Sequence, residues 1–415
     1  MSDSVREQYE LYPYPPRDPR DEAKRLIQGS PSHLQEINHY VFAGRRDFSR
    51  PFRALIAGGG TGDGAIMLAQ QLADRRCPAE VHYLDLSESS RKIAEDRAAA
   101  RGLKNLSFHT GSLLDLPAWA FGKFDYIDCC GVLHHLPDPA AGLTALCAAL
   151  NEDGGLGLMV YGAYGRTGVY HLQEALRVLG RDDVPAVKLD LARRLLRQLP
   201  PTSWLARNPF LGDHLKAGDA GIYDLLLHSI DRPYTVGEFA SLIESAGLSI
   251  AAFIEPWRYD PANFISDGAL LKRLDGLGRW QRAAIAEQLT GNMKVHIAYA
   301  VPKARAESTV AQADDGKMIP VLRDSPGPEL AKGLKPGGSL TARAEGLEVR
   351  MALPRTAAPL LAAIDGQTSI DGIFARVTPD LHLPRQDFNR EFAALFRVFN
   401  GVNKMFLQHE PGPAA

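Results

Sequence analysis

The sequence predicts an α/β fold built on a doubly wound, largely parallel sheet, and three observations carry that prediction. From Phe52 onward, short apolar runs alternate with helical patterns. The first run, residues 54–57, opens into a glycine-rich turn at 58–64 and then a helix with Ala65, Leu68 and Leu72 on one face. The second run ends in an acid, Asp85, 23 residues beyond Gly62. A strand, glycine turn and helix in this order let a ligand lie on the main chain and aim free N–H groups at it.

Residues 1–50 read as an N-terminal arm. Tyr9, Tyr12 and Tyr14 alternate with Pro13, Pro15, Pro16 and Pro19, which predicts an extended, polyproline-like course. Such an arm is either a strap over the first domain or a lid whose tyrosines line a pocket. Residues 33–42 predict a short helix capped by Ser30 or Ser32. After the glycine turn and its helix, strands are expected at 81–86, 106–109, 124–130 and 156–161, with Ser87 and Asp138 capping two of the intervening helices. Residues 163–232 break the rhythm as a helical insert at the mouth of the sheet, with Val187, Leu191, Leu195 and Leu199 spaced by four. Thr235 and Glu238 form a capping box, and 250–255 and 295–301 supply the last two strands. The first domain is thus 51–302. Residues 303–338 are polar and rich in Pro, Gly and Ala, and read as a linker with one ordered stretch near 319–322. A small domain, 339–409, follows: a hairpin about Glu345-Gly346, three helices and a returning strand at 404–408.

Hydrophobic content of 45% and a net charge of −2 are ordinary for a globular chain and give no pull toward nucleic acid or membrane. The four cysteines, Cys77, Cys129, Cys130 and Cys147, lack metal-ligand spacing, so no metal site is expected and the thiols read as reduced. With no apolar leader or spanning run, a soluble, cytoplasmic protein is the expectation.

The glycine turn discriminates between cofactors. A nicotinamide dinucleotide needs G-x-G-x-x-G, but from Gly58 the sixth place is Asp63. A P-loop needs Gly-Lys-Ser/Thr, and no lysine lies between Phe52 and Arg91. An acid at Asp85 can accept from both ribose hydroxyls. The pattern points to an adenosine without a pyrophosphate.

With these residues the chain resembles the class I S-adenosylmethionine-dependent methyltransferases over about 52–302, within a bacterial group that carries a YPYP arm. LIAGGGTGD is similar to the family's first motif, YLDLS to the second, GSLLDLP to the adenine segment and FDYIDCCGVLHHLPDP to the fourth. The resemblance implies a seven-stranded Rossmann-like sheet and S-adenosylmethionine as cofactor. It places Gly58, Gly59, Gly60, Thr61, Gly62 and Asp63 around the methionine and ribose portion, and Asp85 and Leu86 on the ribose. Ser112 and Leu113 would read adenine, with Cys130, Gly131 and Val132 near the sulfonium. Ile56 stands where the family often has an acid, so recognition of the methionine amino group must come from elsewhere, such as backbone carbonyls.

Methyl transfer needs alignment and, for nitrogen or oxygen acceptors, a proton acceptor. Candidates for that role are His134 and His135 of the fourth motif, Tyr14 of the arm, and Asp224 and His228, four apart in the insert. The structural alternative for the histidines is that one faces the cofactor pocket and the other packs below the sheet, and for Asp224 and His228 an ordinary surface pair. The C-terminal domain resembles the winged-helix or regulatory domains attached to some protein methyltransferases and protein hydroxylases. Its eight Lys/Arg against seven Asp/Glu give no basic face for nucleic acid, leaving homodimerisation or protein docking. The expected reaction is methylation of N or O on a protein or peptide. The alternatives are a small-molecule N- or O-methyltransferase and a cofactor-binding regulatory protein without turnover.

Overall fold

The computed structural model describes residues 3–409, so the first two residues of the arm lie outside it. The arm begins with a helix, α1 (Asp3–Leu11), where an extended course was expected. The prolines that enforce extension start only at Pro13, so nothing prevents helix before them. Helix α2 (Leu34–Val41) follows as expected, but His33 stands at its N-cap without a side-chain bond. Ser30 and Ser32 are directed elsewhere: Ser30 Oγ donates to Glu36, and Ser32 Oγ to Asp128.

The main sheet contains β1 (Phe52–Ala57), β2 (Ala79–Asp85), β3 (Leu106–Thr110), β4 (Phe124–Cys130) and β5 (Leu150–Tyr161), interleaved with α3 (Asp63–Asp74), α4 (Glu88–Ala100) and α5 (Pro139–Ala148). Ser87 and Asp138 cap α4 and α5 as their sequence positions suggest. Strand β5 starts six residues earlier than its apolar run, because its first turn is the polar Asn151–Asp153 stretch, which carries no hydrophobic signal. The insert comprises α6 (Val169–Leu179), α7 (Pro185–Arg197), α8 (Trp204–Arg207), α9 (Asp213–Lys216) and α10 (Gly218–Leu226). On α7 the buried positions are Leu189 and Ala192, while Val187 of the four-spaced stripe is exposed. The sheet closes with α11 (Val236–Ser245), opened by the Thr235/Glu238 capping box, then β6 (Leu248–Ile254), α12 (Gly268–Leu274), α13 (Arg279–Thr290) and β7 (Val295–Pro302).

The strand order is β3-β2-β1-β4-β5-β7-β6, parallel from β3 to β5, with β7 antiparallel to both of its neighbours. Strand residues alternate between two cores. Leu55, Ile127 and Leu158 pack with Leu143 of α5 and Phe239 of α11. Ala54, Ile56 and Tyr126 pack on the opposite face with Ile37 of α2 and Leu68 of α3. The chain reverses its winding between β1 and β4, which leaves a crevice beyond the strand ends.

Residues 303–338 are more than a spacer. They form β8 (Ile319–Leu322) and α14 (Gly327–Ala331), and Met318 and Ile319 are buried. The C-terminal unit has β9 (Ser339–Ala344), β10 (Leu347–Ala352), α15 (Ala357–Ala362), α16 (Ile370–Leu381), α17 (Arg385–Gly401) and β11 (Met405–Gln408). Strand β11 pairs with β8 and not with the β9–β10 hairpin. The hairpin leans on the large domain, where Arg258 pairs with Glu345 at 2.7 Å. Leu360, Ile373, Phe388 and Phe392 form the unit's own core. Beneath it, the buried Glu36 carboxylate of α2 gathers Tyr299 Oη (2.9 Å), Asn403 Nδ2 (2.9 Å) and Arg323 Nη1 (2.5 Å).

Candidate functional site

A cavity of about 510 Å³ occupies the crevice at the carboxyl ends of β1, β2 and β4. Its floor is the glycine turn. Gly58 has φ +81° and a Cβ there would stand 2.1 Å from Val132 Cγ2; one on Gly59 would meet the Tyr83 ring at 2.3 Å. Only glycine leaves the main chain this accessible. Gly62, at φ +101°, begins α3.

Asp85, at the end of β2, accepts from Gly60 N–H at 2.7 Å and Ser87 N–H at 2.9 Å. Burial pushes its carboxyl above the ordinary aspartate range, against the pull of those N–H donors. Of the residues expected to hold a cofactor, Gly58, Gly59, Gly60, Thr61, Asp63, Asp85, Leu86, Leu113, Cys130, Gly131 and Val132 line the cavity. Two do not. Gly62 faces Ala94, and Ser112 turns its hydroxyl back to cap Leu114 N–H at 3.1 Å. The wall beside it is made instead by Gly111 and Leu113. Asp63 borders the cavity but is committed to Arg17 (2.5 Å) and Arg97 (2.7 Å).

The arm forms the roof. Thr61 Oγ1 donates to Pro15 O at 2.8 Å, Ser87 Oγ donates to Tyr9 O at 3.1 Å, and Glu10 accepts from Glu88 N–H and Ser89 N–H at the start of α4. A carboxylate suits that helix end, where the free N–H groups point outward. Tyr9 and Tyr14 line the cavity, whereas Tyr12 stacks on Tyr223 of the insert at 4.8 Å.

Beyond Val132 the cavity ends in His135, Tyr161 and Asp224. Asp224 is buried and accepts from Tyr9 Oη at 3.1 Å and Tyr161 Oη at 3.0 Å. His228 lies two residues past the end of α10 and meets Asp224 through Tyr9, whose Oη is 3.2 Å from His228 Nε2. His228 Nδ1 accepts from Ile230 N–H, which leaves the proton of the neutral ring on Nε2. His135 does the reverse: Nδ1 donates to Ile230 O at 2.7 Å, so Nε2 keeps a free lone pair. The two rings stack at 3.7 Å. Burial lowers the pKa of both histidines and raises that of Asp224. His134 is fully buried, packs on Tyr161 at 4.0 Å and does not reach the cavity. Ligand atoms of His135, Asp224 and His228, and of His134, His135 and Asp231, lie within 4.8 Å of one another. In the first group the His228 Nε2 proton faces Tyr9, and in the second the Arg166 guanidinium is 3.3 Å from Asp231. The first group therefore reads as a hydrogen-bonded cluster, whereas in the second neither ring nitrogen of His134 has a hydrogen-bond partner.

Sequence reasoning missed Arg17, Ser32 and Asp128. Asp128 belongs to an apolar strand run and was read only as part of a motif. Its meeting with Ser32 joins residues 96 positions apart, for which no local signal exists.

A family profile described as a methyltransferase domain matches residues 55–156. An uncharacterized protein from Synechococcus is 32% identical over 309 residues, 70% of each chain. The ubiquinone biosynthesis O-methyltransferase of Albidiferax ferrireducens is 33% identical over 139 residues, 33% of this chain and 50% of that protein. Against that enzyme the likeness spans only half its length. The structure of PKMT2 from Rickettsia typhi shares the fold, with a TM-score of 0.63 at 16% identity, over 92% of this chain and 77% of that one. The same protein has also been solved in complex with AdoHcy. No helix among the described residues is long and apolar enough to cross a membrane. A glycine turn bare of side chains, an acid at the next strand end and the matched relatives converge: the chain belongs to the class I S-adenosylmethionine-dependent methyltransferases, and S-adenosylmethionine is its cofactor.

Proposed function

We propose that this methyltransferase acts on a nitrogen or oxygen nucleophile carried by a protein or peptide, with an amine as the favoured acceptor. The observation that supports it is the buried Asp224 carboxylate, held between Tyr9 and Tyr161 at the far end of the cavity. A buried carboxylate walled by phenol rings suits a slender cationic side chain, which gains ion pairing and ring-face attraction while leaving water. The cofactor, when bound over the glycine turn, supplies a methyl group on a sulfonium. Gly58, Gly59 and Gly60 would bear it on their main chain, Asp85 would take the ribose hydroxyls, and Gly111 and Leu113 would border the adenine.

Asp224 binds the incoming ammonium and takes its proton. Its burial-raised pKa makes it a stronger base than an exposed aspartate. Tyr9 and Tyr161 keep the carboxylate oriented. His135 Nε2 offers a second proton acceptor, His228 positions Tyr9, and the Tyr14 segment keeps water out. His134 packs beneath and takes no part.

A specific observation favours a second reading. The ubiquinone biosynthesis O-methyltransferases match a third of the chain at about one-third identity, which favours a small-molecule O-acceptor. One experiment separates the two. The protein is incubated with methyl-labelled cofactor and a lysate from cells lacking it, and the product is sized. Label in acid-precipitable protein that moves to amine-bearing residues on hydrolysis is expected. Label only in small organic-soluble product replaces the protein reading with the second.

A further inference from the structure

Four carboxylates line the cavity: Asp63, Asp85, Asp128 and Asp224. Three are accounted for. Asp63 is neutralised by Arg17 and Arg97, Asp85 takes main-chain N–H groups beside the proposed ribose position, and Asp224 is held by two tyrosines at the acceptor end. Asp128 takes the Cys130 N–H but has neither a cation nor an assigned ligand group. It is 2% exposed, accepts from Ser32 Oγ, and forms no ion pair with any arginine or lysine among the described residues. A buried carboxylate without a cation is costly, and burial pushes its pKa up to about 7.

Its position in the sheet is informative. Strand order around the site is β3-β2-β1-β4, so Asp128 on β4 and Asp85 on β2 flank the glycine turn of β1 from opposite sides. Asp128 pairs in register with Ile56 and shares its face of the sheet. Gly64 gives it room: a Cβ there would stand 3.3 Å from Asp128 Oδ2 and 2.9 Å from Ser32 Oγ. S-adenosylmethionine carries its ribose and its α-amino acid on opposite sides of sulfur. With the ribose at Asp85, the amino-acid end runs across β1 toward β4.

We propose that Asp128, held by Ser32, recognises the α-ammonium of the cofactor's methionyl group. The assignment rests on the cofactor position argued above and supplies a charge complement for the methionyl ammonium. It also gives residues 27–33, the segment just before α2, a part in the site through Ser32.

Calorimetry with three ligands tests the assignment: S-adenosylhomocysteine, its analogue lacking the α-amino group, and methylthioadenosine, which lacks the whole amino-acid end. The wild-type protein should bind S-adenosylhomocysteine about 10- to 100-fold more tightly than the deamino analogue, the range of a charge-assisted hydrogen bond. Asp128→Asn should abolish that preference and leave methylthioadenosine affinity unchanged. Equal affinities for the first two ligands in the wild type, or a preference that survives in D128N, overturn the proposal. Failure of the wild type to bind any of the three instead removes the cofactor position on which it rests. Should D128N not fold, the wild type still decides through the carboxyl-carbon NMR signals of its aspartates. One that responds to S-adenosylhomocysteine but not to the deamino analogue is expected, and identical responses to both count against Asp128.

Discussion

The two halves of the cavity are built by different means. The cofactor half is made largely of main chain: consecutive strand ends, positive-φ glycines and strand-end acids, mostly within residues 56–132. The acceptor half is made of side chains brought from far apart: Tyr9 from the arm, His135 from the loop after β4, Tyr161 from the end of β5 and Asp224 from the insert. A main-chain site leaves its record in short motifs, because glycine and a strand-end acid are needed at fixed spacing. A side-chain site records only residue types, and their meeting is decided by packing.

The largest effect that would break this contrast is expected at Asp224. Asp224→Asn should lower kcat by about a hundred- to ten-thousand-fold, the range for a lost general base, with cofactor affinity intact by calorimetry. Asp224 must be ionised to take a proton, so wild-type activity should fall as pH drops through its pKa. Burial sets that limb above the ordinary aspartate value of about 3.9. A pH profile unchanged in the residual activity of the variant would remove Asp224 from the reaction.

The next effects belong to the cofactor half. Gly58→Ala combines a forbidden φ with a clash against Val132, and Asp85→Ala removes the proposed ribose partner. Each should weaken S-adenosylhomocysteine binding by about 1–3 kcal/mol. Unaltered affinity in both would mean that the ligand lies elsewhere.

Tyr9→Phe sits between the halves, since its hydroxyl joins Asp224 to His228. A loss of about ten- to a hundredfold in kcat is expected, as a hydrogen bond to the ionised Asp224 carboxylate, of about 1.5–3 kcal/mol, is removed. Steady-state kinetics showing a change in KM for cofactor alone would place Tyr9 with the other half.

Ser112→Ala should show the smallest functional effect. Its hydroxyl caps the turn after β3, so about 0.5–1 kcal/mol of stability should be lost in a denaturant titration while cofactor affinity holds. Weaker binding without loss of stability would return Ser112 to the adenine role its motif suggests.

Much of the fold was legible for the same physical reason as the cofactor half. Asp138-Pro139, Ser87 and the Thr235/Glu238 pair act locally, and each caps the helix it was assigned. Helix α1 was obscured by the prolines that follow it. Asp224 and His228 could be named from their spacing but not joined, because the link is Tyr9, 215 residues before Asp224. The pairing of β8 with β11 is of the same kind: four residues in a polar stretch gain their partner only from the chain's far end.

The Glu36 cluster bears on how this protein can be divided. Its carboxylate, inside the face that α2 lays on the sheet, draws ligands from β7, from the segment after it and from the turn before β11. Cutting the chain at residue 302 would strip its cation, Arg323, and Asn403 from that charge, leaving it to the Ser30 and Tyr299 hydroxyls in an apolar layer. Heat should therefore melt the two units in one cooperative transition. A recombinant fragment ending with the sheet would be the wrong reagent for studying the catalytic half, and the C-terminal unit is better regarded as the last-added course of the same wall than as a detachable module.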